Sequence, residues 1–280
     1  MTIPPSIPGR LAACATAVLL CLALAACGTV VPTPAPVSLT VAASSSAQPL
    51  AELLADAYMQ QNQHISVTVE PVGSELAAEF YVEQGRADAA FLAATPPVVF
   101  SEGLTGTQIA TEALVIVVNS KNPLENIGID QARQVLTGRV RLWSELEAGS
   151  GAIQVLTREA GVGERNTLQQ AVMGRRRLTP TALVFPGNRE LREALAADPD
   201  AIGFLPASWL DERVKALTLD GMSHEWVALN VPGYPMVLPI YFVAADHPSA
   251  EVAALRDFIA GETGAELMQG RYGAPPQRTP

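Results

Sequence analysis

The feature that most constrains the fold is an alternation of short apolar strands with amphipathic helices. Residues 38–42 (SLTVA) are apolar and β-branched, which is typical of a buried strand. Leu50, Leu54 and Tyr58 then recur on one face of a predicted helix. The alternation continues with a strand at 66–70, a helix that opens at Gly73-Ser74 and runs to about 82, and a strand at 87–92. This β-α-β-α-β order indicates an α/β fold with a largely parallel sheet.

A second block of the same kind follows. The apolar segment 113–118 (ALVIVV) predicts a strand that ends at a turn around Pro123. A length of 280 residues indicates about two lobes. Because no low-complexity segment separates the blocks, we expect sheet strands to join them. The remaining predicted strands are 153–157, 182–185, 201–205 and 236–244, with an edge or bend at Pro239, and the remaining helices are 130–136, 165–173, 188–197, 250–260 and 265–268.

The first 27 residues predict a secretory signal. Arg10 is followed by an apolar run, 11–26, that ends in Leu24-Ala25-Ala26-Cys27. The run is shorter than the roughly 20 residues of a membrane span. The tetrapeptide resembles the bacterial lipobox, whose cysteine is lipidated after cleavage, and an uncleaved membrane anchor is the alternative. All three cysteines, Cys14, Cys21 and Cys27, lie in this segment, so a mature chain would have no disulfide and no thiolate metal site.

Residues 28–37 predict a semi-rigid linker, because they contain three prolines and no charge. Such a linker would hold the folded body away from the membrane. A disordered terminus is the alternative, with nearly the same consequence.

Composition excludes several classes of protein. An apolar fraction of 49% rules out a disordered chain. A net charge of −10 argues against a nucleic-acid partner, which favours basic patches. It also argues, on its face, against an anionic ligand. However, distant charge is screened beyond about 10 Å, so the local groups decide what a site binds.

The sequence carries no motif for catalysis or for metal binding. The histidines, His64, His224 and His247, lie in polar or loop-like stretches, and no Gly-x-Ser-x-Gly or His-x-x-x-His occurs. We therefore expect neither an enzyme nor a metal or cofactor site.

Three loops, at residues 44–46, 73–74 and 161–164, place small residues between a predicted strand and a predicted helix. A helix N-terminus has unpaired N–H groups and a partial positive charge, and small residues let an anion approach them. Arg158, before the third loop, can bind an oxyanion through two parallel donors. The alternatives are helix capping for each loop and a salt bridge for Arg158. The candidate ligand-binding residues are Ser44, Ser45, Ser46, Gly73, Ser74, Arg158, Gly161, Gly163 and Glu164.

The sequence resembles the phosphate-binding proteins of bacterial ABC transporters, which have the type II periplasmic binding protein fold. The resemblance runs in collinear order through most of the mature chain, as in VAASSSAQPLAELLADAY (41–58) and VLTREAGVGERNTLQQAVMG (155–174). It implies an α/β protein of two lobes with a ligand cleft between them. Lobe 1 would comprise residues 38–112 and 235–280, and lobe 2 residues 113–234. The other matching stretches are 72–91, 113–146, 187–205 and 234–244.

The resemblance also implies a function. The chain would be an extracytoplasmic lipoprotein, membrane-anchored through Cys27 and monomeric, that delivers phosphate or a related inorganic oxyanion to an ABC permease. The triple-serine loop and the loop after Arg158 would supply the oxyanion donors. No chemistry on the ligand is expected.

The chain departs from this family at positions that matter for phosphate. The family usually has Ser and Thr where Val162 and Glu164 stand, and side-chain donors where this chain has Leu92-Ala93-Ala94-Thr95. A Glu164 carboxylate in the cleft would repel a dianion, whereas one facing solvent would be an ordinary first-turn acid. The alternative function is therefore a sensor or binding module of the same fold with altered or lost ligand specificity.

Overall fold

A computed structural model of the chain describes residues 35–95 and 98–275. The signal segment, Cys27 and most of the predicted linker lie outside the described residues. The strands are β1 (Val37–Ser44), β2 (Ile65–Val72), β3 (Ala89–Ala93), β4 (Leu104–Asn119), β5 (Asn126–Ile127), β6 (Gln154–Arg158), β7 (Leu183–Phe185), β8 (Ala201–Pro206), β9 (Val214–Ala216), β10 (Thr218–Leu219) and β11 (Val237–Ala245). The helices are α1 (Gln48–Gln61), α2 (Glu75–Glu83), α3 (Ile129–Leu136), α4 (Gly163–Leu168), α5 (Asn188–Ala197), α6 (Glu225–Ala228), α7 (Ala250–Ala260) and α8 (Glu262–Met268). Within these residues no helix is both long and apolar enough to cross a membrane.

One large sheet runs through the molecule in the order β2-β1-β3-β11-β4-β8-β6-β7, with β9 paired to β4. At each end the strands are parallel: β1 pairs with β2 and β3, and β6 pairs with β7 and β8. In the middle, β11 and β4 run antiparallel to each other and to their outer neighbours. The α/β fold predicted from the sequence is confirmed, and its two parallel blocks meet at an antiparallel pair.

Each block has its own hydrophobic core. The first lobe packs α1, α7 and one face of its strands around Val41, Leu50 and Phe91, and packs α2 on the opposite face around Leu92. The second lobe packs around Trp143 and Phe204 and takes in the end of β4 from Ala113 onward. Strand β4 thus leaves one core and enters the other without a break, and strands join the lobes, as the sequence predicts.

The central pair differs from expectation at two points. Strand β4 has 16 residues and begins at Leu104, well before the predicted 113–118. The prediction missed its first half because those residues are mostly polar and only partly buried. Pro239 does not lie at an edge, as one expectation had it, since β11 is flanked by β3 and β4. A register shift at Ile240/Tyr241 adjoins the proline, so the ladder is already irregular beside the residue that has no N–H.

Other differences are local. Helix α4 begins at Gly163, two residues before the prediction, and continues as a π-helical segment from Gln169 to Met173. Strands β5 and β10 have two residues each, and α6 has four. Elements this short leave no hydrophobic period in a sequence, which is why they were not predicted.

Candidate functional site

The three predicted loops meet at one side of the sheet. The serine loop (Ser44, Ser45 and Ser46) joins β1 to α1, Gly73-Ser74 joins β2 to α2, and residues 159–162 join β6 to α4. The carboxyl ends of parallel strands are where ligands bind in open α/β sheets. A cavity of about 270 Å³ opens here, and it is lined by residues of both lobes, among them Ser45, Gln48, Gly73, Gly187 and Trp209.

The serine loop is only partly engaged within the protein. The Ser44 hydroxyl accepts a 3.3 Å hydrogen bond from the Ala93 N–H, and the Ser45 hydroxyl accepts one of 3.0 Å from the Asn188 N–H. Ser46 is 1% exposed, and its hydroxyl finds no hydrogen-bond partner in the described part of the chain. No side chain of the described residues caps helix α1. Capping therefore does not explain the serine loop, and Ser46 is a buried donor with no assigned acceptor.

The second loop behaves as an ordinary helix start. The Ser74 side chain caps α2 by accepting a 3.3 Å hydrogen bond from the Ala77 N–H. The Gly73 carbonyl accepts a 3.2 Å bond from Arg158 Nη2, which links the two lobes. Here the capping alternative explains Ser74, and Gly73 contributes an acceptor instead of a donor.

The third loop brings the lobes into direct contact. Gly161 is exposed and has φ +98°, a turn conformation that favours glycine. Gly163 is buried, and a Cβ there would clash with the carbonyl oxygen of Ala93 in the first lobe. Thr95 strengthens this contact, since its hydroxyl donates 3.2 Å to the Gly163 carbonyl and lies 2.7 Å from the Thr167 hydroxyl. Only glycine at position 163 allows the lobes to approach this closely.

Arg158 is completely buried, and all five of its N–H donors are engaged within the protein. The guanidinium makes one bond from Nε and two from each terminal nitrogen. Three of the five acceptors are backbone carbonyls, and two are side chains. The acceptors are Phe185 O (3.2 Å), Glu164 Oε1 (3.0 Å), Asn188 Oδ1 (3.0 Å), Gly73 O (3.2 Å) and Pro186 O (3.0 Å).

Glu164 points inward. Its side chain is 1% exposed, and it pairs with Arg158, whose side chain is 0% exposed. The same Oε1 atom accepts a 2.7 Å hydrogen bond from Asn188 Nδ2. Arg158 thus makes the salt bridge that was the alternative to oxyanion binding, and the Glu164 carboxylate is turned away from solvent. We call Arg158, Glu164 and Asn188 the arginine cluster.

Two further carboxyl groups lie near the arginine cluster. Burial, and next the charge of Glu164, raises the pKa of Glu75 to about 8. Burial raises the pKa of Glu112 to about 7, against the hydrogen bonds from Ser208, and Glu164 adds to this rise. The Oε1 atom of Glu112 accepts 2.6 Å from the Ser208 N–H, while its Oε2 atom has no partner among the described residues. Because their raised pKa values leave Glu75 and Glu112 partly protonated near neutral pH, the buried charge of Arg158 is balanced chiefly by its partner Glu164.

Five residues of this site were not predicted. Glu112 was detectable, since it is an acid at the border of the apolar run 113–118. The others carry no local signal, because each acquires its role from a partner far away in sequence. They are Glu75, Thr95, Thr167 and Asn188.

The geometry offers hydrogen bonds but no catalytic base at the serines. In residues 35–95 and 98–275, no histidine is hydrogen-bonded to Ser44, Ser45 or Ser46, although a serine nucleophile needs such a base. Across the same residues no group of three His, Cys, Asp or Glu side chains is placed to hold a metal ion.

Known proteins resemble the chain at the level of sequence and of fold. A profile of the PBP superfamily domain matches residues 30–263. The phosphate-binding protein PstS of Bacillus subtilis (strain 168) is 27% identical over 205 residues, which are 71% of this chain and 67% of that protein.

Two solved structures share the fold over 85% of this chain. One is from Clostridium perfringens, is assigned to the phosphate ABC transporter substrate-binding proteins and contains bound phosphate. It has a TM-score of 0.77 at 21% identity, and 99% of it is covered. The other is an ABC-type phosphate transport receptor from Vibrio cholerae, with a TM-score of 0.63 at 24% identity and 100% covered. At these identities the likeness establishes the two-lobed fold.

Proposed function

Since the chain belongs to the PBP superfamily, we propose that it is a solute-binding protein of an ABC importer. Its ligand is phosphate or a related inorganic oxyanion, held between the two lobes. The ligand class follows the Bacillus subtilis relative, which is named a phosphate-binding protein. The relatives bind their ligands rather than transform them, and no catalytic step is proposed for this chain.

The observation that carries the proposal is the buried hydroxyl of Ser46, just before α1, which has no hydrogen-bond partner among the described residues. Buried polar groups are nearly always hydrogen-bonded, so this hydroxyl calls for an acceptor that the described part of the chain does not supply. Helix α1 begins two residues further along the chain, and Gln48 and Leu50 in its first turn carry backbone N–H groups, whereas Pro49 has none. An oxyanion provides several strong acceptors at once and matches this set of donors.

The proposal extends to the localisation, oligomeric state and partners of the protein. We propose that it is extracytoplasmic and monomeric, that a lipid on Cys27 anchors it to the membrane, and that it passes its ligand to an ABC permease. The linker at 28–37 would give the body its reach. The proposed lobe boundaries, 38–112 with 235–280 and 113–234, are supported by the hydrophobic cores, although the second core extends from Ala113 to Met236, just past the proposed boundary, and the first resumes at Leu238.

A second function is favoured by the arginine cluster. All the donors of Arg158 are engaged within the protein, and the inward Glu164 occupies the neighbourhood in which a dianion would need positive charge. The second candidate is therefore a binding or sensor module of the same fold whose ligand specificity is altered or lost.

Titration calorimetry of the purified protein with phosphate, sulfate and molybdate tests both candidates. Heat with a saturable curve for one of these anions supports the oxyanion-binding function. Ser46→Ala should weaken that binding, while Ser223→Ala, a partly exposed serine in the second lobe, should not. A protein that is folded and gives no heat with any of the three anions supports the second candidate instead.

A further inference from the structure

We propose that Glu164 is a specificity-determining residue that acts as an internal competitor for the ligand. Its carboxylate takes up donors of Arg158 and Asn188, so an oxyanion reaches those donors only by displacing it. This inference rests on the proposed oxyanion-binding function and adds a residue that limits the affinity and the charge of the ligand.

The contacts of Glu164 are those of a bound anion. Two donors from different elements converge on one oxygen atom, Arg158 Nη1 from β6 at 3.0 Å and Asn188 Nδ2 from α5 at 2.7 Å. Both the carboxylate and the guanidinium are shielded from water. Charge-assisted hydrogen bonds of this geometry are among the strongest in proteins. An arriving oxyanion therefore meets an arginine that is already neutralised.

The surroundings make the displacement selective for charge. Strands β8 and β11 also pack on α4, and neither carries a charged residue. Arg158 supplies one buried positive charge, so a dianion that displaces Glu164 leaves one negative charge uncompensated, whereas a monoanion leaves none. The charged groups near Glu164 are Arg158 on β6, Glu75 on α2, Glu112 on β4 and, on its own helix, the half-buried Arg165.

The position of Glu164 allows it to leave. It lies just after the turn at Gly161, in the first turn of α4, and Gly163 beside it contacts the first lobe. When the lobes separate, this turn loses its contact with Ala93, and the carboxylate can swing toward water. In such an equilibrium the apparent affinity is the intrinsic affinity multiplied by the fraction of molecules with Glu164 displaced.

The test compares Glu164→Gln with the wild type in phosphate calorimetry. Glutamine keeps the shape and the acceptor but removes the charge, so it competes less well for Arg158. We expect Glu164→Gln to bind phosphate at least about tenfold more tightly than the wild type. The matched control is Glu159→Gln, an exposed acid on the same loop, which should stay within about twofold.

Each outcome has one meaning. Equal or weaker phosphate binding by Glu164→Gln, with binding by the wild type intact, overturns the competitor role and leaves the proposed function standing. Absence of binding of phosphate, sulfate and molybdate by both proteins, each shown to be folded, overturns the proposed function and the competitor role with it. Tighter binding by Glu159→Gln to the same extent would also overturn the inference, since general charge would then explain the gain.

A folding failure does not remove the test. If Glu164→Gln folds only when an anion is present, recovery by phosphate but not by chloride at equal ionic strength supports the proposal, and equal recovery by both contradicts it. If it does not fold at all, Glu164→Asp replaces it. Aspartate keeps the charge but shortens the reach to Arg158, and a gain in phosphate affinity of about threefold or more is expected. No gain in that variant overturns the inference.

Discussion

The two sides of the cleft solve the burial of polar groups in opposite ways. The serine loop carries no charge, and its buried Ser46 hydroxyl has no partner within residues 35–95 and 98–275. The arginine cluster buries a full charge and satisfies every donor of it internally. The uncharged serine loop therefore offers a hydrogen-bond donor that the described residues do not use. The donors of the charged Arg158 are all taken up by other groups of the protein.

The strongest way to break this contrast is to remove the cation. Arg158→Met leaves Glu164 buried without its partner, so we expect a loss of about 3–5 kcal/mol in the free energy of unfolding, measured by urea denaturation. The double variant Arg158→Met/Glu164→Leu should recover most of that loss, because it removes both charges. A single variant that costs less than about 1 kcal/mol would show that the pair is not buried as described.

The next largest effect is expected in the pH dependence of the unfolding free energy. The raised pKa values of Glu75 and Glu112 mean that the folded protein retains protons which the unfolded chain releases above about pH 4.5. This contribution to stability is complete below pH 4.5 and is lost as the pH rises through about 7 to 8. We expect Glu112 alone to account for about 2–3 kcal/mol of the decline in unfolding free energy.

Glu112→Gln isolates that contribution. Urea denaturation at pH 5 and pH 8 should show a smaller decline in this variant than in the wild type, and an unchanged decline in Glu159→Gln. The comparison is needed because burial lowers the pKa of His224, whose contribution to stability is lost as the pH falls and so runs in the opposite direction. Equal declines in all three proteins would mean that Glu112 is ionised at neutral pH.

A smaller loss of stability is expected at the contact between Gly163 and Ala93, where the two sides of the cleft meet. Gly163→Ala would drive a methyl group into the Ala93 carbonyl, so we expect a loss of about 1–3 kcal/mol in unfolding free energy or a partly opened form, detected by small-angle scattering. Gly73→Ala is the control, since a Cβ there meets no atom within 4 Å. Equal behaviour of the two variants would show that the lobes do not meet at Gly163.

The smallest change in stability is expected at Ser46. Ser46→Ala removes a buried hydroxyl that makes no bond in the described protein, so the unfolding free energy should stay unchanged or rise by up to about 1 kcal/mol. Phosphate affinity should nevertheless fall at least about tenfold, for the loss of one hydrogen bond to a charged ligand. Ser74→Ala should lose about 1 kcal/mol of stability instead, because it removes the cap of α2. The reverse assignment of these two effects would refute the contrast between the loops.

The sequence predicts most of the scaffold because the scaffold depends on local periodicity. Helices α5 and α7 begin and end where the pattern of apolar residues places them, and most strand bounds differ by one or two residues. The strand at 113–118 was predicted too short, since the polar half of β4 has no apolar signal and is held by its partners.

The candidate site was predicted only in part, for a different reason. The sequence presents Arg158 and Glu164 as neighbours in one loop, but it does not say whether the acid turns toward the arginine or toward water. Asn188, 30 residues from Arg158, settles that choice by bonding to both. Glu75 also enters the site through tertiary structure alone. The roles of polar side chains in a cleft are set by contacts between lobes, which hydrophobic periodicity does not encode.

The continuous run of β4 through both cores has a mechanical consequence. A flexible linker lets two lobes rotate freely. Paired strands resist such a rotation, because each hydrogen-bonded residue pair must twist slightly. The paired strands β4 and β11 thus resist twisting elastically, and the energy needed to open the lobes is distributed along the whole pair. The register shift at Ile240/Tyr241 lies within this pair, beside Pro239, which has no N–H to donate. Separating the lobes from the arrangement described would therefore strain the pair with or without a ligand.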